Sequence, residues 1–223
     1  MTAPSGCARM VDVSAAQSSV DWDKVAASGV TLASVEVGIG NDQPNSLRVV
    51  QSHGARASGL VVRAYHFAYP LPPDGVHAGR DPVQQAQIHW SATEALQLAE
   101  STLDLEWPTD FTKWSDSASY VRGWALAYLA EYERLSGVVP WLYASPGYLE
   151  QIGAAEEPAL ARSPLWVAQW DVESPMTPAP WDSWAAWQMT ATGHVDGIIG
   201  PVDLSLVRPC AVPTQPDVCV PDN

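Results

Sequence analysis

Apolar runs rich in Val, Leu, Ile and Trp alternate along the chain with amphipathic or Ala-rich segments, and turn residues separate them. The short, nearly continuous apolar runs read as strands covered on both faces: Arg9 to Ser14, Leu32 to Val37, Leu60 to Tyr69, Thr102 to Trp107, Val138 to Ala144, Leu165 to Trp170, Trp184 to Met189 and Ile198 to Leu206. Helices are expected between the early ones, over Trp22 to Ser28, Leu47 to Ala57, Pro82 to Glu100 and Ser117 to Ser136, with a weaker pattern over Tyr148 to Ala155. The helix from Ser117 has Asp116 and Ser117 as cap candidates and stops at Gly137. After the sixth strand the connections shorten and fill with proline, as in Ser174 to Pro180, leaving no room for a crossover helix.

This alternation predicts an α/β fold: a mostly parallel sheet with helices outside, its eight strands closed into a TIM-like barrel whose final third is β-rich. An open doubly wound sheet is the competing arrangement. No glycine-rich phosphate fingerprint follows the first strand to favour it. Residues 1–209 read as one domain; residues 210–223, Pro- and Asp-rich without periodicity, read as a tail or the start of a linker.

The fourth strand changes the picture from fold to chemistry. In Leu103-Asp104-Leu105-Glu106-Trp107 two carboxylates alternate with apolar residues. On a strand, Asp104 and Glu106 would share a face about 7 Å apart. Burying two acids together costs free energy, because each makes the other harder to ionise. The arrangement suits chemistry in which one acid keeps its proton while another stays charged.

Barrel enzymes collect their chemistry at the C-terminal strand ends. There the sequence offers Asp12, Tyr65 and His66, the pair Asp104 and Glu106, Tyr143, Gln169 and Asp171, Gln188, and Asp203. Each has a plainer reading: Asp12 as a cap, His66 as a hydrogen-bonded wall residue, Asp171 as a solvated loop acid. Only the pair on strand four resists a purely structural account. No Ser or Cys stands beside a His with an orienting acid, so acyl transfer by a nucleophilic triad has no support.

Composition narrows the partners. Lys+Arg 11 against Asp+Glu 25 gives a net charge of -14, which argues against nucleic acid and anionic lipid. Trp 11 against Phe 2 is a skewed aromatic usage; indole faces stack on sugar rings, although packing accounts for most such residues. Cys7, Cys210 and Cys219 lie near the chain ends without metal-ligand spacing, so no metal and no cofactor is expected. Three reduced thiols are the default, one disulfide the alternative, and Cys7 and Cys210 would be neighbours if the first and last strands meet.

In order and placement these residues resemble the family 25 glycoside hydrolases, the Chalaropsis-type lysozymes. The likeness begins with Asp12-Val13-Ser14, Gln17, Val20-Asp21-Trp22, Val25 and Gly29. It continues through Ala64-Tyr65-His66-Phe67, Gln85-Ala86, Leu103-Asp104-Leu105-Glu106, Pro140-Trp141-Leu142-Tyr143, Leu165-Trp166-Val167-Ala168, Trp187-Gln188, Val195-Asp196-Gly197-Ile198 and Val202-Asp203-Leu204, spanning residues 9 to 207. The resemblance implies a flattened barrel of five β/α units and three further strands. It implies an N-acetylmuramidase cutting the β-1,4 bond between N-acetylmuramic acid and N-acetylglucosamine in bacterial peptidoglycan. Glu106 would be the general acid and Asp104 the partner of the 2-acetamido group, with Asp12 and Asp203 in the same catalytic site. Tyr65, Tyr143, Gln188, Glu36, Trp107 and Trp170 would bind substrate. Two departures stand out: Glu36 occupies a position where the second strand of this family usually carries Lys or Arg, and the last motif reads Asp203-Leu204-Ser205.

The expected protein is a monomer acting on cell-wall peptidoglycan, with neither nucleic acid nor membrane as partner. The residues after Met1 show no signal peptide pattern and no run is long enough to span a bilayer. A phage endolysin, made in the host cytoplasm and released to the wall, is the expected source, and a secreted autolysin the alternative. Two other classes compete. One is a catalytically weak or inactive carbohydrate-binding relative, motivated by Glu36; the other is a carboxylate metal site for phosphoester chemistry, motivated by the acid ring.

Overall fold

The computed structural model describes residues 6–70, 81–106 and 117–211. Nine strands form one sheet: β1 Ala8–Val13, β2 Leu32–Ile39, β3 Gln43–Pro44, β4 Val61–Phe67, β5 Ser101–Asp104, β6 Trp141–Ala144, β7 Leu165–Ala168, β8 Ala186–Gly193 and β9 Val202–Val207. β1 pairs in parallel with β2 and antiparallel with β9, which closes the barrel. β2, β4, β5, β6, β7 and β8 follow in parallel, and β9 runs antiparallel to β8. The two-residue β3 is a hairpin annex on β2. Without it, eight mostly parallel strands make the wall, as the sequence pattern predicts.

Five α-helices follow the first five wall strands: α1 Trp22–Ala27, α2 Arg48–Ala57, α3 Pro82–Ala95, α4 Ser117–Ser136 and α5 Pro146–Gln151. Asp21 caps α1 by accepting from the Lys24 amide, Asp81 caps α3, and Ser145 caps α5; α3 and α5 each begin with a proline preset for the first turn. α4 stops where Gly137 takes φ +72°, a left-handed conformation that costs glycine nothing. Of its proposed caps, Asp116 lies outside the described residues. Among the described residues no α-helix follows α5, so the layout is five β/α units and three strands.

Alternation of side chains divides the core in two. Met10, Leu32, Trp141, Trp166, Ala186 and Val207 fill the barrel interior. Arg63 is buried among them, its guanidinium 3.3 Å from the centre of the Trp141 ring and donating to the Ser101 carbonyl at 3.1 Å. The opposite faces pack against helices: Val11, Val13, Ala33 and Val35 with Trp22 and Ala55, and Leu103, Leu142 and Val167 with Val121, Trp124 and Tyr128. Trp22, Trp124, Trp141, Trp166, Trp181, Trp184 and Trp187 are all buried, so packing does account for most of the 11 tryptophans.

Three expectations need correction or delimitation. β5 ends at Asp104, so Glu106 lies just beyond the strand rather than in it. The extended course persists for one more step, because the Leu105 amide donates to the Tyr143 carbonyl at 2.9 Å. Cys210 is disulfide-bonded, which overturns three reduced thiols, and Cys7 is not in that bond. Gly6 and Pro209 do lie close, since a Cβ on Gly6 would lie 3.6 Å from Pro209, but the partner of Cys210 lies outside the described residues. So does the tail from residue 212. Among the described residues no helix is long and apolar enough to cross a membrane.

Candidate active site

The acids predicted on separate strands converge at one end of the barrel, one layer above the apolar filling. Asp12 and Asp203 are direct cross-strand partners on β1 and β9, Glu36 faces Tyr65 across β2 and β4, and Asp104 faces Tyr143 across β5 and β6. β9 runs against the others, so it delivers Asp203 from its first turn of chain rather than its last. Asp12, Asp104 and Glu36 are 7%, 7% and 8% exposed.

Gln188 organises one side of this mouth. Its Oε1 accepts from the Tyr143 hydroxyl at 3.0 Å and the Trp170 indole at 3.1 Å. Its Nε2 points at the carboxylates, 3.3 and 3.4 Å from the two Asp12 oxygens and 3.4 Å from Asp203. With two donors on one end and two acids on the other, only one orientation of the amide fits. Trp170 remains 51% exposed with its ring edge tethered, so its face is open to solvent.

The electrostatics follow from crowding acids away from water. Burial pushes the Asp12 carboxyl well above the ordinary range, and the charge of Asp203 and the hydrogen bond to it push further, while Gln188 opposes. Burial also raises Asp203, and the same hydrogen bond to Asp12 holds it back. Of the two, Asp12 is the one that burial and the neighbouring charge favour in its protonated form. Asp104 is raised well above its usual value by burial and then by Glu106; its Oδ1 is buried without a hydrogen-bond partner. Glu106 is more open to solvent, and burial of its carboxyl followed by Asp203 raises it less. Glu36 is raised by burial. The phenols of Tyr65 and Tyr143 are raised well above 10 by burial and then by the surrounding acids. None of the ion pairs among the described residues involves these five carboxylates.

A cleft of about 720 Å3 opens from Glu106 and Tyr143 toward α5 and the loop after β7, with Trp170, Met176, Pro178 and Ala155 on its walls. Its volume is in the range of small-ligand sites. The structure thus brings together Asp12, Glu36, Tyr65, Asp104, Glu106, Tyr143, Gln188, Asp203 and Trp170. Trp107 lies outside the described residues, and Asp171 is exposed in its loop. Among the described residues, no three of His, Cys, Asp or Glu are grouped so as to hold a metal ion.

Sequence reasoning missed three contributors. Tyr148 on α5 is buried and its phenol is raised by burial, then by Glu106 and Asp104. The hydroxyls of Ser34 and Thr102 are buried without partners two residues before Glu36 and Asp104. Ser34 sits opposite Asp12. The last two were findable by extending each inward-facing register by two residues; Tyr148 depends on how α5 docks.

Comparison with known proteins agrees with this architecture. The profile of Glycosyl hydrolases family 25 matches residues 11–198. Lysozyme M1 of Streptomyces globisporus is 28% identical over 194 residues, 86% of this chain, which in turn spans 65% of that protein's length. The lysozyme of Streptomyces coelicolor superposes with a TM-score of 0.78 at 24% identity, covering 91% of this chain and 92% of the other. The catalytic domain of endolysin ply40 from bacteriophage P40 of Listeria monocytogenes does so with a TM-score of 0.72 at 18% identity, covering 94% and 97%. The order of strands, the ring of acids at their mouth and the match across most of its length place the chain in glycosyl hydrolase family 25.

Proposed function

We propose that the chain is a peptidoglycan muramidase that hydrolyses the β-1,4 bond between N-acetylmuramic acid and N-acetylglucosamine. The observation that carries this reading is the division between two neighbouring acids: Glu106 opens onto the cleft, while Asp104 is sunk in the mouth with an oxygen lacking any partner. A buried acceptor left unmet costs about 1–3 kcal/mol and calls for a donor from the ligand. The N–H of a 2-acetamido group is such a donor.

In the proposed step Glu106 gives its proton to the glycosidic oxygen as the C1–O bond breaks. The acetamido oxygen attacks C1 with its lone pair, closing a ring whose positive charge Asp104 stabilises through the N–H. Water then attacks C1 and returns a proton to Glu106 while the ring reopens, which balances the reaction and retains configuration. In the ligand-free mouth burial favours the proton on Asp104. Bound substrate reverses that order: it supplies Asp104 with a donor, lowering it, and covers Glu106, raising it. Tyr65, Tyr143, Gln188 and Glu36 would contact sugar, Trp170 would stack on the leaving saccharide, and Asp12 and Asp203 would hold the mouth's charge.

The test is mass analysis of fragments released from purified peptidoglycan. Products with N-acetylmuramic acid at the reducing end are expected. Reducing N-acetylglucosamine would reassign the bond, and no release from folded protein would favour a binding relative in which Glu36 has silenced turnover. A role in wall lysis as a phage endolysin is motivated by the likeness to such a catalytic domain. Clearing of intact bacteria by added protein is the outcome expected of it.

A further inference from the structure

β2 and β4 have two functional faces. Glu36 and Tyr65, paired across them, face the mouth; Val37 and His66, the next residues, face the other way toward α3. On that outer side, between the hairpin Gly38 to Pro44 and α3, lies a separate open cleft of about 620 Å3 with none of the mouth acids on its walls. The hairpin is held in place: Gly40 has φ +55°, and a Cβ there would come within 2.7 Å of the Tyr69 ring.

The polar groups of this cleft are nearly all uncharged. Asn41, Gln43, Gln84 and Gln87 bring side-chain amides, and Arg48 is its one permanent charge. Two polar groups within it are incompletely satisfied. His66 is 1% exposed, and neither ring nitrogen has a hydrogen bond of good geometry; the neighbouring Gln85 amide, which also spans the N–H and the carbonyl of Tyr69, is close enough to oppose the effect of burial on the ring. Asn41 donates to Gln84 at 2.9 Å, but its Oδ1 is buried and unmet. Burial holds His66 down to about 4, so at neutral pH the ring offers one donor and one acceptor. Unmet donors and acceptors, an amide fringe, and apolar floor from Val37 and Ile39 fit a neutral ligand bearing hydroxyl and acetamido groups.

We infer that this outer cleft is a second saccharide site, taking an N-acetylhexosamine glycan apart from the strand being cut. The inference rests on the peptidoglycan reading above. Holding a neighbouring glycan there would keep the mouth at the wall between cuts, since two linked contacts bind far more tightly than either alone.

The experiment uses the full chain carrying Glu106→Gln and the trisaccharide of N-acetylglucosamine, followed by NMR of side-chain resonances. Two separate groups are expected to shift: the Trp170 indole at the mouth, and the His66 ring with the Asn41, Gln84 and Gln87 amides at the flank. Ser91→Trp, which fills the flank cleft from an exposed helix position, is expected to abolish the second group. It should also lower retention on insoluble peptidoglycan about ten-fold. In the otherwise wild-type chain, Ser91→Trp should leave cleavage of short soluble glycan unchanged. Shifts at the mouth with none at the flank, as expected if water alone meets His66, overturn the second site and leave the cleavage reading intact. Unchanged retention in folded Ser91→Trp also overturns it. Flank shifts with no cleavage by the wild-type chain support the site and overturn the cleavage reading instead.

Discussion

On the inner side of β5 lies the acid mouth; on its outer side lies a second buried polar layer, where His89 joins Ser101 of β5 to Tyr128 of α4. Both are out of water and both sit against the same four residues of strand. Around His89 the outer layer is satisfied: each His89 nitrogen meets a hydroxyl, Thr93 and Tyr132 share a hydrogen bond at 3.1 Å, and Trp124 stacks on Tyr128 at 5.3 Å. The inner layer is frustrated: like charges adjoin, Asp104 has an unmet oxygen, and the hydroxyls of Ser34 and Thr102 have no partners. Stability accounts for the first arrangement. The second is a cost to the folded state that a ligand would relieve.

The difference should show most strongly in activity. Glu106→Gln removes the proton donor with little change of volume, so turnover of peptidoglycan should fall by about 10³-fold or more while the unfolding temperature stays put. A variant within a few-fold of wild type would end the assignment of the acid. Asp104→Asn should cost about 10²-fold and, unlike a core mutation, raise the unfolding temperature at neutral pH by roughly 2–4 °C. The sign follows from linkage. A carboxyl whose folded pKa is raised contributes stability that is complete at low pH and is lost as pH rises through that pKa. The gap between variant and wild type should therefore widen from pH 4 to pH 8, and a gap that narrows would mean Asp104 is stabilised by a partner.

The outer layer should answer oppositely. His89→Phe leaves the buried Tyr128 hydroxyl without its partner and removes one of the two bonds of the Ser101 hydroxyl, and it should destabilise the fold by about 1–3 kcal/mol in denaturant titration, with the pH profile of the remaining activity unmoved. A shifted profile would show that the two layers communicate. Burial holds His66 at about 4 and, with His66 beside it, pushes His89 well below 6.5. For a base with a lowered folded pKa, stability is complete above the unfolded value and is lost as pH falls from about 6.5 through the folded one. Thermal unfolding from pH 7 to pH 4 should reveal that loss, opposed in part by the acid mouth. His66→Phe should flatten it. The smallest effect expected is at the rim, where Trp170→Ala should raise KM several-fold with kcat largely kept, since the indole presents a face to substrate and touches the acids only through Gln188. A kcat loss equal to that of Asp104→Asn would instead make Trp170 part of the charge arrangement.

Much of this was legible along the chain because strand and helix periodicities are local. Ser117 to Ser136 appears as α4 with the expected ends, and the proline-filled segment after β7 indeed carries no α-helix. The acids too announced themselves, since Asp12, Asp104 and Asp203 interrupt apolar runs in which a charge is costly. Strand limits were less legible: where pairing stops depends on the neighbour, and Glu106 falls outside β5 although the alternation runs through it.

What the sequence alone determined is the set of parts: eight strands and five helices, four acids with Glu36 as a fifth, and an amide at Gln188. Only the closed barrel decided their relations. Register placed Asp203 opposite Asp12, although 190 residues lie between them in the chain, and turned Gln188 so that one amide serves a tyrosine, an indole and two acids. It also set Val37 and His66 into a cleft behind the mouth. Side-chain alternation is inherited from each strand, whereas proximity, burial and the charge crowding they enforce arise only when the first and last strands meet.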